Sequence, residues 1–237
     1  MTTVLKSEIR LGRWQEVLSD MECDTLITDA PYSARTHSAY RGGRSDGTDG
    51  SARRELDYAS LDEPGVRAVV ESWPPRTRGW MVSITDHILA PVWARAMEDA
   101  GRYVFAPLPA YIPGRSVRLS GDGPACWAYW IVVSRPRTRE FAQWGTLPGG
   151  YHITPGARRI EARMGGKPLA LMRHLVADYS RPGNLIVDPF AGGGTTIVAS
   201  RVEGRAGIGA EVDEETWQAA QAWLAGQRGP VAQQGLF

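Results

Sequence analysis

Apolar residues in this chain come in short bursts, and the bursts switch between two spacings. "CDTLIT" (23–28) is a run of strand length that reads as a short buried strand. "EPGVRAVVESW" (63–73) spaces its apolar residues for a short helix opened by Pro64. "GWMVSIT" (79–85) predicts a strand. "HILAPVWARAMEDAG" (87–101) predicts an amphipathic helix with Pro91 in its first turn and Gly101 at its end. "RYVFA" (102–106) predicts another strand, whereas "PLPAYIPG" (107–114), with three prolines, predicts no regular structure. "ACWAYWIVVSR" (125–135) is a long β-prone run. "KPLALMRHLVADYS" (167–180) predicts a helix, and "NLIVDPFAGGGTTIVASRV" a strand, a glycine turn and a helix. "GRAGIGAEVDEETWQAAQAWLAG" supplies a last strand and a last helix. Strands alternating with helices imply an α/β fold with a parallel sheet covered on both faces.

Two stretches break the pattern. Residues 34–55 are rich in Gly, Ser, Asp and Arg without any period, which predicts a long mobile loop, functional or disordered. Residues 136–166 are Arg- and Gly-rich and poorly patterned, and the tail GPVAQQGLF reads as a linker with a short apolar end. A length of 237 residues suits one well-buried domain. The formal charge of +1 excludes an overall basic protein, so a nucleic-acid site would be a local patch. Residues 33–54 are net positive by three and 102–163 by six. Arginine greatly outnumbers lysine, and arginine suits bidentate phosphate and base contacts. Cys23 and Cys126 have no metal-like spacing, and Cys23 reads as a reduced structural thiol. An N-terminus without an apolar signal core and the lack of a membrane-length run predict a cytoplasmic protein.

Two stretches carry chemistry. In "VDPFAGGGTT" (187–196) three glycines follow a strand and open a helix. Glycines allow a tight turn and close approach to a ligand, and a helix N-terminus attracts carboxylate or phosphate. The next strand ends on Glu211, where an acid in a doubly wound fold takes ribose hydroxyls. Together they imply a nucleoside-containing cofactor. No Lys-Ser or Lys-Thr follows the glycines, which disfavours a nucleoside triphosphate and leaves NAD open on pattern alone. In "TDAPYSARTH" (28–37) a strand ends on a carboxylate, Asp29, followed by a rigid turn and an aromatic ring.

The segments Asp29-Ala30-Pro31-Tyr32 and Asp188-Pro189-Phe190-Ala191-Gly192-Gly193-Gly194-Thr195-Thr196 together resemble the amino-methylating DNA methyltransferases. Tetrapeptide first and glycine loop near the C-terminus is similar to the order of their beta class, and Lys167-Pro168-Leu169 matches a Lys-Pro-Leu segment of that family. The resemblance implies a doubly wound, mostly parallel seven-stranded sheet (a Rossmann-like methyltransferase fold) in one domain, 1–226, before a tail at 227–237. It also implies a target-recognition region at about 110–163. S-adenosylmethionine would be the cofactor, held by Asp188, Phe190, Ala191, Gly192, Gly194, Thr195 and Glu211, with Lys167 and Pro168 flanking it from the other side; read alone, Lys167 is equally a solvated helix start. The catalytic set would be Asp29, Ala30, Pro31 and Tyr32, with no metal. Asp29 and the Ala30 carbonyl would each accept an N–H of the target amino group, and Tyr32 would stack on an extruded base. The family usually has proline where Ala30 stands; a backbone carbonyl serves either way.

Double-stranded DNA would meet Arg35, His37, Arg41 and Arg44 after the tetrapeptide, and Arg115, Arg118, Arg137, Arg139, Arg158, Arg159 and Arg163 in the recognition region. Asp86, ending the 79–85 strand, would either touch the cofactor or cap the following helix, and the cap is the favoured reading. "QQGLF" (233–237) resembles the bacterial sliding-clamp-binding pentapeptide, so a clamp is an expected partner through Gln233–Phe237. A homodimer is expected from beta-class relatives. The leading expectation is adenine-N6 methylation of DNA, because acid-first tetrapeptides belong mainly to adenine enzymes. Cytosine N4 is the runner-up, and a weakly active DNA-binding accessory protein tethered to the clamp is a third reading.

Overall fold

Each apolar run becomes a strand because its side chains alternate between two covered faces. In the computed structural model, residues 7–36, 60–113, 124, 126–154 and 166–227 are described. In β2 (Thr25–Asp29), Leu26 enters the core on one side of the sheet and Ile27 the core on the other. Met81 and Val82 divide the same way in β3 (Met81–Thr85), as do Val187 and Ile186 in β8 (Leu185–Asp188). Strands buried on both faces read as continuous apolar runs, which is why these were visible in the sequence.

The remaining strands are β1 (Glu8–Leu11), β4 (Tyr103–Val104), β5 (Leu108–Tyr111), β6 (Ala128–Arg135), β7 (Tyr151–His152) and β9 (Ala206–Glu211). They form one sheet in the order β1-β9-β8-β2-β3-β6-β5-β7, with β4 pairing β6. The five strands from β1 to β3 are parallel; β6 is antiparallel to β3, and β5 to β6. Of the nine described strands, β4 and β7 have two residues each; the seven longer ones make the expected doubly wound sheet.

Helices α1 (Trp14–Val17), α2 (Glu63–Ser72) and α3 (Ala90–Asp99) cover one face, with Trp14, Val66, Val69, Trp73 and Trp93 in that core. Helix α4 (Leu169–Tyr179) covers the other through Leu171, Met172, Leu175 and Val176. Beside it, α5 (Thr195–Val202) and α6 (Glu214–Gly226) bury Ile197, Val198, Ala220 and Leu224 against Ile9. The helix signals act as read. Asp62 caps α2 by accepting from the Gly65 N–H at 2.9 Å, with Pro64 in the first turn. Gly101 closes the segment after α3 at φ +79°. Cys23 is buried and unpaired with Cys126, and burial pushes its thiol up to about 12. No helix among the described residues is long and apolar enough to cross a membrane.

One expectation fails. Residues 108–111 form β5 in spite of Pro109. The Ile112 N–H donates to the Trp127 carbonyl at 2.7 Å, and register makes 110 and 108 the other residues bonded to β6. The nitrogen of residue 109 therefore points away from β6, towards β7. The β7 pairing begins only at Ala110, so the missing N–H costs no ladder bond. The strand at 102–106 is also shorter than its apolar pattern, with only Tyr103 and Val104 in β4.

Candidate active site

From β8 the chain moves outward to β9, and from β2 outward to β3 in the opposite direction. The crevice at the carboxyl ends of β8 and β2 is thus a topological switch point, where doubly wound sheets take ligands. Parallel pairing brings Asp29, Asp188 and Glu211, each the last residue of its strand, to that one edge. A hydrogen bond joins the tetrapeptide strand to the glycine turn: Thr28 Oγ1 donates to Asp188 Oδ1 at 2.7 Å.

Asp188 is almost fully buried, and its two oxygens shape the turn. Oδ1 also accepts from the Phe190 N–H at 3.0 Å, and Oδ2 accepts from Thr196 Oγ1 at 2.5 Å. Burial raises its pKa to about 6; the bonds from Thr196, Thr28 and Phe190 pull against that, and the Asp29 charge adds to it. Gly194 sits at φ +83°, and a Cβ there would lie 2.8 Å from Ile9 Cδ1 and 3.2 Å from Ala220 Cβ. Asp188 and Gly194, both expected along a cofactor, shape and pack the turn. Gly192 differs: at φ +51° a Cβ would meet nothing within 4 Å, so this part of the turn borders open space. Ala191 is fixed by its N–H bond to the Ala210 carbonyl at 2.9 Å, and Phe190 stays half-buried. Helix α5 starts at Thr195 without a side-chain cap. Glu211 is partly exposed and accepts from the Asp213 N–H through Oε1 at 2.8 Å. An uncapped helix start, an open glycine and an acid on the next strand fit a ligand with a carboxylate at one end and a ribose diol beyond it. Thr28 and Thr196 were missed in the sequence, where a buried threonine beside an acid looks like any strand or helix residue.

The tetrapeptide turn is held from several sides. Ala30 is buried and Pro31 and Tyr32 half-buried. The Tyr32 carbonyl accepts from the Leu61 N–H at 3.0 Å. Asp86 caps the segment before α3 by accepting from the Ile88 and Leu89 N–H groups at 3.0 and 2.9 Å. Its other oxygen takes the Ser33 N–H at 3.0 Å and the Ser33 and Thr36 hydroxyls at 2.5 Å each. Burial works against its ionisation, but the bonds from Ser33, Thr36 and Leu89 outweigh it and hold the carboxyl below the ordinary aspartate range. Asp86 is therefore a cap, as expected, and also the anchor of the chain leaving the tetrapeptide.

Lys167, expected to flank the cofactor from the side away from the glycine turn, meets the tetrapeptide. Its Nζ lies 2.5 Å from Asp29 Oδ2, and 4.7 and 4.4 Å from the ring centroids of Tyr32 and Tyr129. Pro168 follows as the N-cap residue of α4. Among the described residues no group of three or more His, Cys, Asp or Glu side chains could hold a metal.

The expected DNA contacts divide. His37, Arg41, Arg44, Arg115, Arg118, Arg158, Arg159, Arg163 and the Gln233–Phe237 tail lie outside the described residues. Arg35 is exposed just past the tetrapeptide. Arg137 is carried to the opposite edge, because β6 runs antiparallel and places Ser134 beside Met81, the start of β3. There its guanidinium lies 5.7 Å from the Tyr103 ring centroid, and Arg139 opens the 3-10 turn that follows, Arg139–Trp144. Arg102 is buried at the same edge, its guanidinium donating to Ser134 Oγ at 2.9 Å. The edge bearing Asp29 instead carries aromatic residues at the ends of β5, β6 and β7. Tyr111 and Trp127 are 41% and 37% exposed, and His152 stacks on Tyr111 at 5.6 Å. No sequence period separates such exposed rings from core rings.

The family model for DNA methylases of the N6/N4 type matches residues 127–222. A DNA adenine methyltransferase of Escherichia coli (strain K12), YhdJ, is 41% identical over 49 residues, 21% of this chain and 17% of that protein. The chain spans at most 39% of the length of the curated relatives it matches. Among solved structures, the M1.HpyAVI–SAM complex aligns with a TM-score of 0.65 at 17% identity, over 93% of this chain and 99% of that one. The cytosine-N4-specific PvuII DNA methyltransferase aligns at 0.63 and 14% identity, over 97% of this chain and 89% of that one. Family model, relatives and fold point the same way: residues 127–222 match the N6/N4-type DNA methylase model, and the chain shares its fold with solved DNA methyltransferases.

Proposed function

We propose that this protein transfers a methyl group from S-adenosylmethionine to the exocyclic N6 of an adenine extruded from DNA. The observation that carries this reading is the union of the Asp29 strand end and the glycine turn at one switch point, joined by the Thr28–Asp188 bond. When bound, S-adenosylmethionine supplies an activated methyl group on a sulfonium. Gly192 and the start of α5 would receive its carboxylate end, Glu211 its ribose hydroxyls, and Phe190 would line it.

Asp29 and the Ala30 carbonyl act on the target amino group. Its lone pair is delocalised into the base; two acceptors, one per N–H, favour a pyramidal nitrogen with that pair available. Asp29 also stands where the nitrogen must give up a proton. Pro31 fixes its own φ and biases Ala30 to an extended shape, which aims the carbonyl. Alanine replaces the family's usual proline, and here burial of Ala30, the Leu61–Tyr32 bond and the Ser33–Asp86 bonds restrain the turn. Tyr32 offers a ring on which the base stacks, and holding both reactants in line supplies much of the acceleration. The DNA would lie along the edge bearing Arg35, Tyr111, Trp127 and His152.

Adenine is favoured by the acid-first tetrapeptide and by the adenine relative in Escherichia coli. The test is incubation of the protein and cofactor with unmethylated genomic DNA, then nuclease digestion and mass spectrometry of the nucleosides. N6-methyladenine is expected. N4-methylcytosine would transfer the reading to the runner-up, and the absence of any methylated base would end it.

A further inference from the structure

We propose that Lys167 is the positioning residue of Asp29, holding its carboxylate in the orientation that receives the target amino group. This rests on the reading of Asp29 as the amino-group acceptor. The side chain of Lys167 is 5% exposed and that of Asp29 23%, so the ammonium is enclosed while the carboxylate retains access from the crevice. An enclosed ammonium requires a partner. It finds Asp29 Oδ2 at 2.5 Å and the rings of Tyr32 and Tyr129 within cation–π range. The two rings stand nearly edge to face, 6.1 Å apart. The amine therefore touches two members of the catalytic tetrapeptide at once.

The backbone delivers it rigidly. Pro168 restricts Lys167 to an extended conformation, and α4 is fixed through Leu171, Met172 and Leu175 in the core. The choice of lysine is informative in a chain with 25 arginines and two lysines. A guanidinium fork would engage both carboxylate oxygens. An ammonium is a point donor: it fixes one oxygen and the plane of the group while leaving the carboxylate able to accept a substrate N–H.

The test uses Lys167→Met, Lys167→Arg, Asp29→Asn and the Met/Asn double variant of the full chain. Three expectations follow from positioning. Lys167→Met lowers kcat by about 10²-fold, as a misplaced catalytic group does, with KM for DNA within about threefold. Its affinity for S-adenosylhomocysteine, read by calorimetry, stays at the wild-type value. In denaturant unfolding, Asp29→Asn and Lys167→Met are non-additive, because the double variant removes one pair. Lys167→Arg restores stability but not turnover, and keeps the question open to experiment should the methionine variant fold poorly. Wild-type kcat in Lys167→Met, full turnover in Lys167→Arg, additive unfolding effects, or loss of S-adenosylhomocysteine binding would each overturn the assignment. If the wild type methylates no DNA, the functional reading falls; additivity in the unfolding cycle would then separately refute the pair.

Discussion

Asp188→Asn tests the mechanism of the glycine turn through pH. The carboxyl titrates at about 6 in the folded chain against an ordinary 3.8, because burial outweighs the bonds from Thr196, Thr28 and Phe190 while the Asp29 charge adds to the rise. That difference corresponds to ~3 kcal/mol. The sign follows from proton counts. Between 3.8 and about 6 the folded chain holds a proton that the unfolded chain has released, so this group makes stability fall as pH rises. Its cost is absent below 3.8 and complete above about 6. Asparagine cannot ionise. Its carbonyl can keep the bonds from Thr28 and the Phe190 N–H, and its amide can donate to the Thr196 hydroxyl, which then accepts. The variant therefore keeps the turn and loses the pH-dependent cost. Urea unfolding of both proteins from pH 4 to 7.5 should show the variant gaining on the wild type by up to ~3 kcal/mol as pH rises. In thermal scans the same gain widens the Tm gap by roughly 6–12 °C for a chain of this size. Parallel curves for the two proteins across that range would refute the reasoning, and so would a gap that widens towards low pH.

Four further outcomes are expected. Asp29→Ala abolishes methyl transfer to DNA while S-adenosylhomocysteine binding remains measurable by calorimetry, since the glycine turn and Glu211 are untouched; turnover near wild type would contradict its role. Tyr32→Ala weakens stacking of the extruded base by roughly 1–3 kcal/mol, read with a fluorescent adenine analogue at the target position. Trp127→Ala, at an exposed ring on the catalytic edge, weakens duplex binding by at least ~1 kcal/mol with cofactor affinity unchanged, read by anisotropy. In native protein Cys126 reacts with a thiol reagent, whereas Cys23, buried with its thiol pushed up to about 12, reacts only after unfolding.

The parallel core of the fold was legible because strands covered on both faces are continuous apolar runs, and Leu26-Ile27 and Leu185-Ile186-Val187 are such runs. The flank was not. Whether Pro109 breaks a strand depends on which side its nitrogen faces, and only the pairing of β5 with β6 decides that. The direction of β6 likewise decides where its arginines go. Read as sequence, Arg137 and the residues near Tyr111 belong to one basic stretch, 102–163; the antiparallel pairing sends Arg137 to one edge and Tyr111 to the other.

The same limit explains Lys167, and there it has a chemical consequence. A lysine at the start of a helix reads as solvated, or through the resemblance as a flank of the cofactor, and neither reading names its partner. Helix α4 runs antiparallel to the strands it covers, so its first residues stand over their carboxyl ends, where β2 has just placed Asp29. In the chain 138 residues separate Lys167 from Asp29, yet its amine lies 2.5 Å from Asp29 Oδ2. Glycines and an acid after a strand state their chemistry by residue type alone. A cation states its chemistry only through its partner, and that partner is chosen by the topology of the sheet.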